Sequence, residues 1–157
     1  MTARLLGVLI LCGLLAPGCG RSESDGPACV RIGQGIWEVE LATDPKARHR
    51  GLAGRKELPT GTGMFFVFPD EQVRGFHMLD CHVPLDIAFI SSNLIVVEMR
   101  TMRVEADPSD PKAAYSSRYP IKYALEVPAG ELARDGVAIG DRVELLGTTR
   151  SAAKGAR

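Results

Sequence analysis

The sequence predicts a mainly β single domain, a closed barrel or jelly-roll-like sandwich with one or two short helices. Three observations predict it. Ile36-Trp37-Glu38-Val39-Glu40-Leu41 alternates apolar and acidic side chains, the period of a strand with one buried face. Met64-Phe65-Phe66-Val67-Phe68 is apolar on both faces, which suits a central strand. Helical signals are confined to two short stretches, one beginning at Pro45 and one at Gly130.

The elements follow in order. Trp37, Val39 and Leu41 turn to the core while Glu38 and Glu40 turn away. Thr43-Asp44-Pro45 then opens a helix with an oxygen-bearing cap and a proline in the first turn, and the helix stops near Gly51 and Gly54. Pro69-Asp70-Glu71 is expected to break the central strand. Asp86 to Ile90 and Leu94 to Met102 read as a hairpin joined by Ser91-Ser92-Asn93. Ala106 to Pro120 is rich in Pro, Asp and Ser and reads as a long surface loop. Tyr123-Ala124-Leu125-Glu126-Val127 alternates again, with Tyr123, Leu125 and Val127 inward. Gly130 to Arg134 makes a helical turn closed by Gly136, and Gly140-Asp141 turns the chain into a last strand, Arg142 to Leu146. Closing such a sheet, or stacking two, removes its exposed edges.

The first residues place the chain. Arg4 is followed by an apolar run from Leu5 to Leu15, then by small residues and Cys19. Eleven residues are too few to span a bilayer, which takes about 20. The order basic, apolar, small reads as a secretory signal peptide over residues 1–18. A cysteine at the cut resembles the lipobox of bacterial lipoproteins, with Leu15 and Gly18 fitting and Ala16 standing where leucine is usual. That resemblance implies lipid on Cys19, a membrane partner reached through it, and an anchor and tether over residues 19–35. Gly20, rather than Asp, is similar to the pattern sorted to the outer membrane, facing the periplasm. Residues 36–147 then form the folded domain and residues 148–157 a frayed tail.

Composition bounds the rest. The 139 residues from Cys19 suffice for one domain with a real core. Losing Arg4 with the leader leaves 18 basic against 19 acidic side chains, a balance that offers nothing to nucleic acid. With Cys19 lipidated, Cys29 and Cys81 either pair in an oxidising compartment or stand as separate thiols. A bridge would close a loop of about 52 residues, worth roughly 4 kcal/mol.

Five stretches carry a family resemblance. They are Trp37-Glu38-Val39-Glu40-Leu41-Ala42, Arg50-Gly51-Leu52-Ala53-Gly54-Arg55, Gly63-Met64-Phe65-Phe66-Val67-Phe68, Phe76-His77-Met78 with Pro84-Leu85-Asp86-Ile87-Ala88-Phe89-Ile90, and Tyr123-Ala124-Leu125-Glu126-Val127-Pro128-Ala129-Gly130. In this order they resemble domain of unknown function 192. The resemblance covers residues 36 to 146 and implies a small, β-rich, jelly-roll-like domain with no assigned activity. The family usually reads Phe-Trp-Met-Lys-Asn-Thr before its Pro-Leu-Asp. Here His77, Leu79, Asp80 and Cys81 replace the Trp, Lys, Asn and Thr.

Five side chains are candidate ligand-binding residues. Asp86 heads an apolar strand, where a carboxylate must be paired or hydrogen-bonded, either to a ligand or to turn amides or Arg55. Glu126 faces solvent or a cleft shared with Asp86. Arg55 can clamp a carboxylate or phosphate, or pair with a nearby acid. His77 and Asp80 complete the set. His77, Met78, Cys81 and His82 are soft donors, but their spacing matches no established zinc pattern, so no metal or other cofactor is expected. No nucleophile elbow, phosphate loop or zinc-protease motif occurs, and no catalytic residue is assigned. The expectation is a non-catalytic binding or accessory module of the cell envelope whose partner is a small ligand, a glycan or an envelope protein. The alternative is a metal-binding or hydrolytic protein centred on His77, Asp80 and Asp86.

Overall fold

The structure is a computed structural model and describes residues 26–155. The predicted leader, Cys19 and most of the tether lie outside the described residues. Strands β1 (Cys29–Ile32) and β2 (Gly35–Ala42) lead to helix α1 (Pro45–Arg50), then β3 (Thr62–Gln72), β4 (Gly75–Phe76), β5 (Leu85–Ile90) and β6 (Val96–Met102). The chain continues through β7 (Tyr115–Ser116), β8 (Ile121–Pro128), α2 (Glu131–Arg134), β9 (Val143–Leu146) and α3 (Thr148–Gly155). Seven strands form one sheet in the order β6-β5-β8-β3-β2-β1-β9, curled into a half-barrel, while β4 and β7 make a separate two-stranded ribbon. The expected mainly β class holds. All pairings in the large sheet are antiparallel except β2 with β3, which α1 connects.

The alternation read from the sequence sorts side chains onto two apolar clusters, one on each face of the sheet. The inner cluster draws on all seven strands and includes Val30, Trp37, Phe65, Leu125 and Leu145. The outer cluster takes the alternate residues of the central strands, including Met64, Phe66, Ile87 and Ala124, and adds Leu52, Phe76, Met78 and Cys81 from the covering loops. A sheet covered on both faces explains why β3 and β5 are apolar without alternation. Inside the half-barrel the Trp37 indole N–H donates to the buried Glu131 carboxylate at 2.7 Å, which ties α2 to β2.

Several expectations are corrected. The segment assigned to the tether contains β1, which pairs on both sides, with β2 and β9. The central strand does not stop at Pro69. It runs to Gln72 across a register shift between Val67 and Gln72, in an exposed stretch where proline's missing N–H breaks no ladder bond. The loop over 106–120 contributes β7. The tail is not frayed from 148. It forms α3, a third helix, whose buried Thr149 hydroxyl donates to the carbonyls of Leu146 and Cys29, the latter at 2.7 Å. Cys29 and Cys81 are free thiols, not a disulfide. Cys29 lies on β1 and Cys81 packs beside Glu126 of β8, three strand positions away. At about 4.8 Å per strand that is about 14 Å, twice the Cα separation a disulfide tolerates.

Candidate functional site

Glu126 defines the site. Its neighbours across the sheet on the same face are Met64 of β3 and Ile87 of β5, both apolar and buried. Outward-facing on a strand would ordinarily mean solvated. Here α1, the 51–54 segment and the 76–85 segment cover that face, and Glu126 is only 4% exposed. Its carboxyl has no hydrogen-bond partner among the described residues. Burial pushes its pKa up from the ordinary 4.5 to about 8, so at neutral pH the group is a neutral acid.

The carboxyl opens into a cleft of about 210 Å³. Its walls are aromatic and aliphatic: Phe66, Phe68, Phe76 and Leu85. Phe76 sits edge-on to Phe66, Phe68 and Phe89, at centroid separations of 5.3, 6.2 and 5.6 Å. The mouth is basic. Arg48, His49 and Arg50 come from the last turn of α1, and His77 faces them from the opposite wall, its ring 5.8 Å from that of His49 in a T-shaped pair. The Asp44 side chain caps α1 by accepting from Ala47 N–H at 2.9 Å, and Gly51 ends it, which fixes where these bases project. Arg48 donates to the Thr43 and Val67 carbonyls at 2.6 and 2.9 Å and lies over Phe68 at 5.2 Å, where Arg74 also stacks at 4.5 Å. Nδ1 of His77 accepts from Leu79 N–H at 3.3 Å, which leaves Nε2 to carry the proton in the neutral ring.

Of the five predicted residues, the cleft gathers His77 and Glu126. Arg55 is occupied by Glu40, reaching its two carboxylate oxygens at 2.6 and 2.7 Å. Asp86 points to the other face of the sheet. It accepts from the Thr101 hydroxyl and the Gly130 N–H, each at 2.7 Å, and so fastens β5 to β6 and to the start of α2. Asp80 does not line the cleft; it turns the chain between Leu79 and Cys81, which do, with φ of 51°. Its N–H donates to Pro108 O and its carbonyl accepts from Gly54 N–H, each at 2.7 Å, while its side chain meets His82 at 3.2 Å. Arg55, His77, Asp80 and Asp86 therefore do not converge on one surface, which removes the hydrolytic alternative built on them. No three His, Cys, Asp or Glu side chains gather in metal-binding geometry among the described residues. Sequence reasoning missed Arg48, His49 and Arg50. The available signal was their crowding into one helical turn.

With this geometry in hand, the comparisons with known proteins become informative. The family model DUF192, described as an uncharacterized ACR, matches residues 28–145. The chain belongs to the DUF192 family. A solved structure from Sinorhizobium meliloti 1021, of a protein described as a candidate transcription regulator, is 33% identical with a TM-score of 0.67, covering 78% of this chain and 95% of that one. A protein of unknown function from Novosphingobium aromaticivorans DSM 12444 is 26% identical with a TM-score of 0.66, covering 88% of this chain and 99% of its own. No curated protein matches. Among the four positions where this DUF192 member departs from the usual family run, His77, Leu79 and Cys81 line the cleft.

Proposed function

We propose that this DUF192 protein is a non-catalytic binding module that holds a small molecule in the cleft above Glu126, and that lipid on Cys19 moors it outside the cytoplasm. The observation that carries the first half is the carboxyl of a largely buried residue, without a protein partner among the described residues, opening into a concave space with aromatic walls and a basic mouth. A ligand hydrogen bond would give this carboxyl the partner that the fold does not supply. Catalysis lacks its parts. Burial raises the pKa of the Cys81 thiol, its Sγ engages the Val83 carbonyl at 3.5 Å, and His82 is turned to Asp80, so no base activates that sulfur. A nucleic-acid role, as the description of the Sinorhizobium meliloti protein suggests for that protein, needs a basic surface, whereas this chain balances 19 basic and 19 acidic side chains.

The mooring rests on the apolar run, the small residues and Cys19, followed by a polar stretch that leads to β1. β1 lies three positions from β8 in the sheet, so a tether entering there would leave the cleft uncovered. Fragment screening by amide NMR on the purified protein tests the cleft. Hits are expected to shift Gly51, Phe76, His77 and Leu79, and a screen whose hits all fall elsewhere, or that yields none, defeats the reading. Mass spectrometry tests the mooring separately. An acylated Cys19 at the N-terminus is expected, and a soluble cytoplasmic chain still beginning at Met1 would refute the anchor but not the cleft.

A further inference from the structure

The cleft's two ends differ in chemistry, and the difference specifies its occupant. We infer that the ligand is a small organic anion with an apolar body, its charge held at the mouth by Arg50 and His77 and an oxygen at its far end accepting a hydrogen bond from Glu126. This rests on the reading of the cleft as a binding site and narrows it to one class of molecule.

Three observations support the assignment. First, the mouth is basic on two sides. Arg48, His49 and Arg50 stand on one wall and His77 on the other, and among the described residues Arg50 has no ion-pair partner. Clefts lined by one sign of charge concentrate ligands of the opposite sign. Second, the floor is a neutral acid that no protein group engages, and a neutral carboxyl is a hydrogen-bond donor in need of an acceptor. Third, the face of the Phe68 ring is closed to a further cation. Cations are bound over ring faces, and the Phe68 ring already carries the guanidinium groups of Arg48 and Arg74. An amine could ionise Glu126 and pair with it, but it would enter past the basic mouth.

The titratable groups packed around the floor are few. Cys81 lies beside Glu126 on the loop side, with Asp80 behind it, and β3 and β5 offer only Met64 and Ile87 across the sheet. Ionising Glu126 puts a negative charge at the floor, so affinity for an anion falls as pH rises past about 8.

Three probes that share one body and differ in charge test the inference: 4-hydroxybenzoate, 4-hydroxybenzamide and 4-hydroxybenzylamine, titrated into the purified protein and followed by amide NMR. At pH about 6.5 the benzoate should bind at least about tenfold more tightly than either analogue. Arg50→Ala should weaken it about fivefold or more, and Glu126→Leu should abolish it. Should Glu126→Leu fail to fold, Glu126→Gln serves instead: its amide still donates, so the benzoate should bind it with no loss between pH about 6.5 and 8.5, below the probe's own phenol ionisation, where the wild type weakens. Equal or tighter binding of the amide or the amine in the cleft overturns the anion assignment and leaves the binding module standing. Benzoate binding that ignores both Arg50→Ala and the Glu126 substitutions overturns it as well. So does silence from all three probes, because the broader fragment screen decides independently whether the cleft binds anything.

Discussion

Glu126, Asp86 and Glu131 are three buried carboxylates that the fold treats differently. Asp86 accepts from a hydroxyl and a backbone N–H, and Glu131 accepts from the Trp37 indole and pairs with Arg134. Both are satisfied, and both serve structure. Glu126 has no protein partner among the described residues and meets only the cleft, and burial of the residue holds its proton. Its linkage to stability has a definite sign. The folded-state pKa of about 8 lies above the ordinary 4.5 of an unfolded glutamate, so stability is full below pH 4.5 and declines as pH climbs toward 8, where the unfolded chain has released a proton the folded chain still holds. At about 1.4 kcal/mol per pH unit, the loss amounts to about 3–5 kcal/mol. Glu126→Gln removes this term. Urea unfolding at intervals from pH about 5 to 9 should show a decline in the wild type that the variant lacks, with the variant the more stable at the alkaline end. Parallel pH profiles for the two proteins would contradict a neutral Glu126.

Among the elements, β3 and β8 are the scaffold of the site, because together they carry Phe66, Phe68 and Glu126. Gly63 lets their backbones approach. A Cβ built there would stand 2.2 Å from the Glu126 carbonyl oxygen and 3.0 Å from Val127 Cγ1. Backbone in a central strand cannot yield as a flexible side chain can, so Gly63→Ala should cost about 2–4 kcal/mol and shift the cleft resonances through β8. Gly75→Ala is the control. Its Cβ would make an ordinary contact, 3.6 Å from Ser116 Oγ, and the cost should stay below about 1 kcal/mol. Denaturant midpoints compare the two, and equal losses would show that the close approach at Gly63 is unimportant. The elements themselves were unevenly legible. The helix from Pro45, the hairpin β5–β6 and the strand holding Leu125 all lie where patterning put them, because each has its own period or cap. β1 and α3 were missed. Cys29–Ile32 is too short to show a period, and α3 buries only Thr149, so neither carries an apolar pattern to read.

For the whole molecule, the decisive fact is that the sheet is covered on both faces. Period two assigns Glu126 to the face opposite Leu125, and the sequence supports that much. It says nothing of what covers that face, since the covering residues come from α1 and from the 76–85 segment, between about 40 and 80 positions away along the chain. The same limit misled the cysteines: an even count suggested a bridge, while strand order keeps Cys29 and Cys81 apart. It also dispersed the polar candidates, because Asp86 and Glu126 lie on neighbouring strands but on opposite faces. The sequence by itself determined the β class, the family and the inward side of each strand, because alternation and local capping act over a few residues. Only the tertiary structure decided that a carboxyl should be buried under a basic mouth, because burial and electrostatics depend on which distant segments meet.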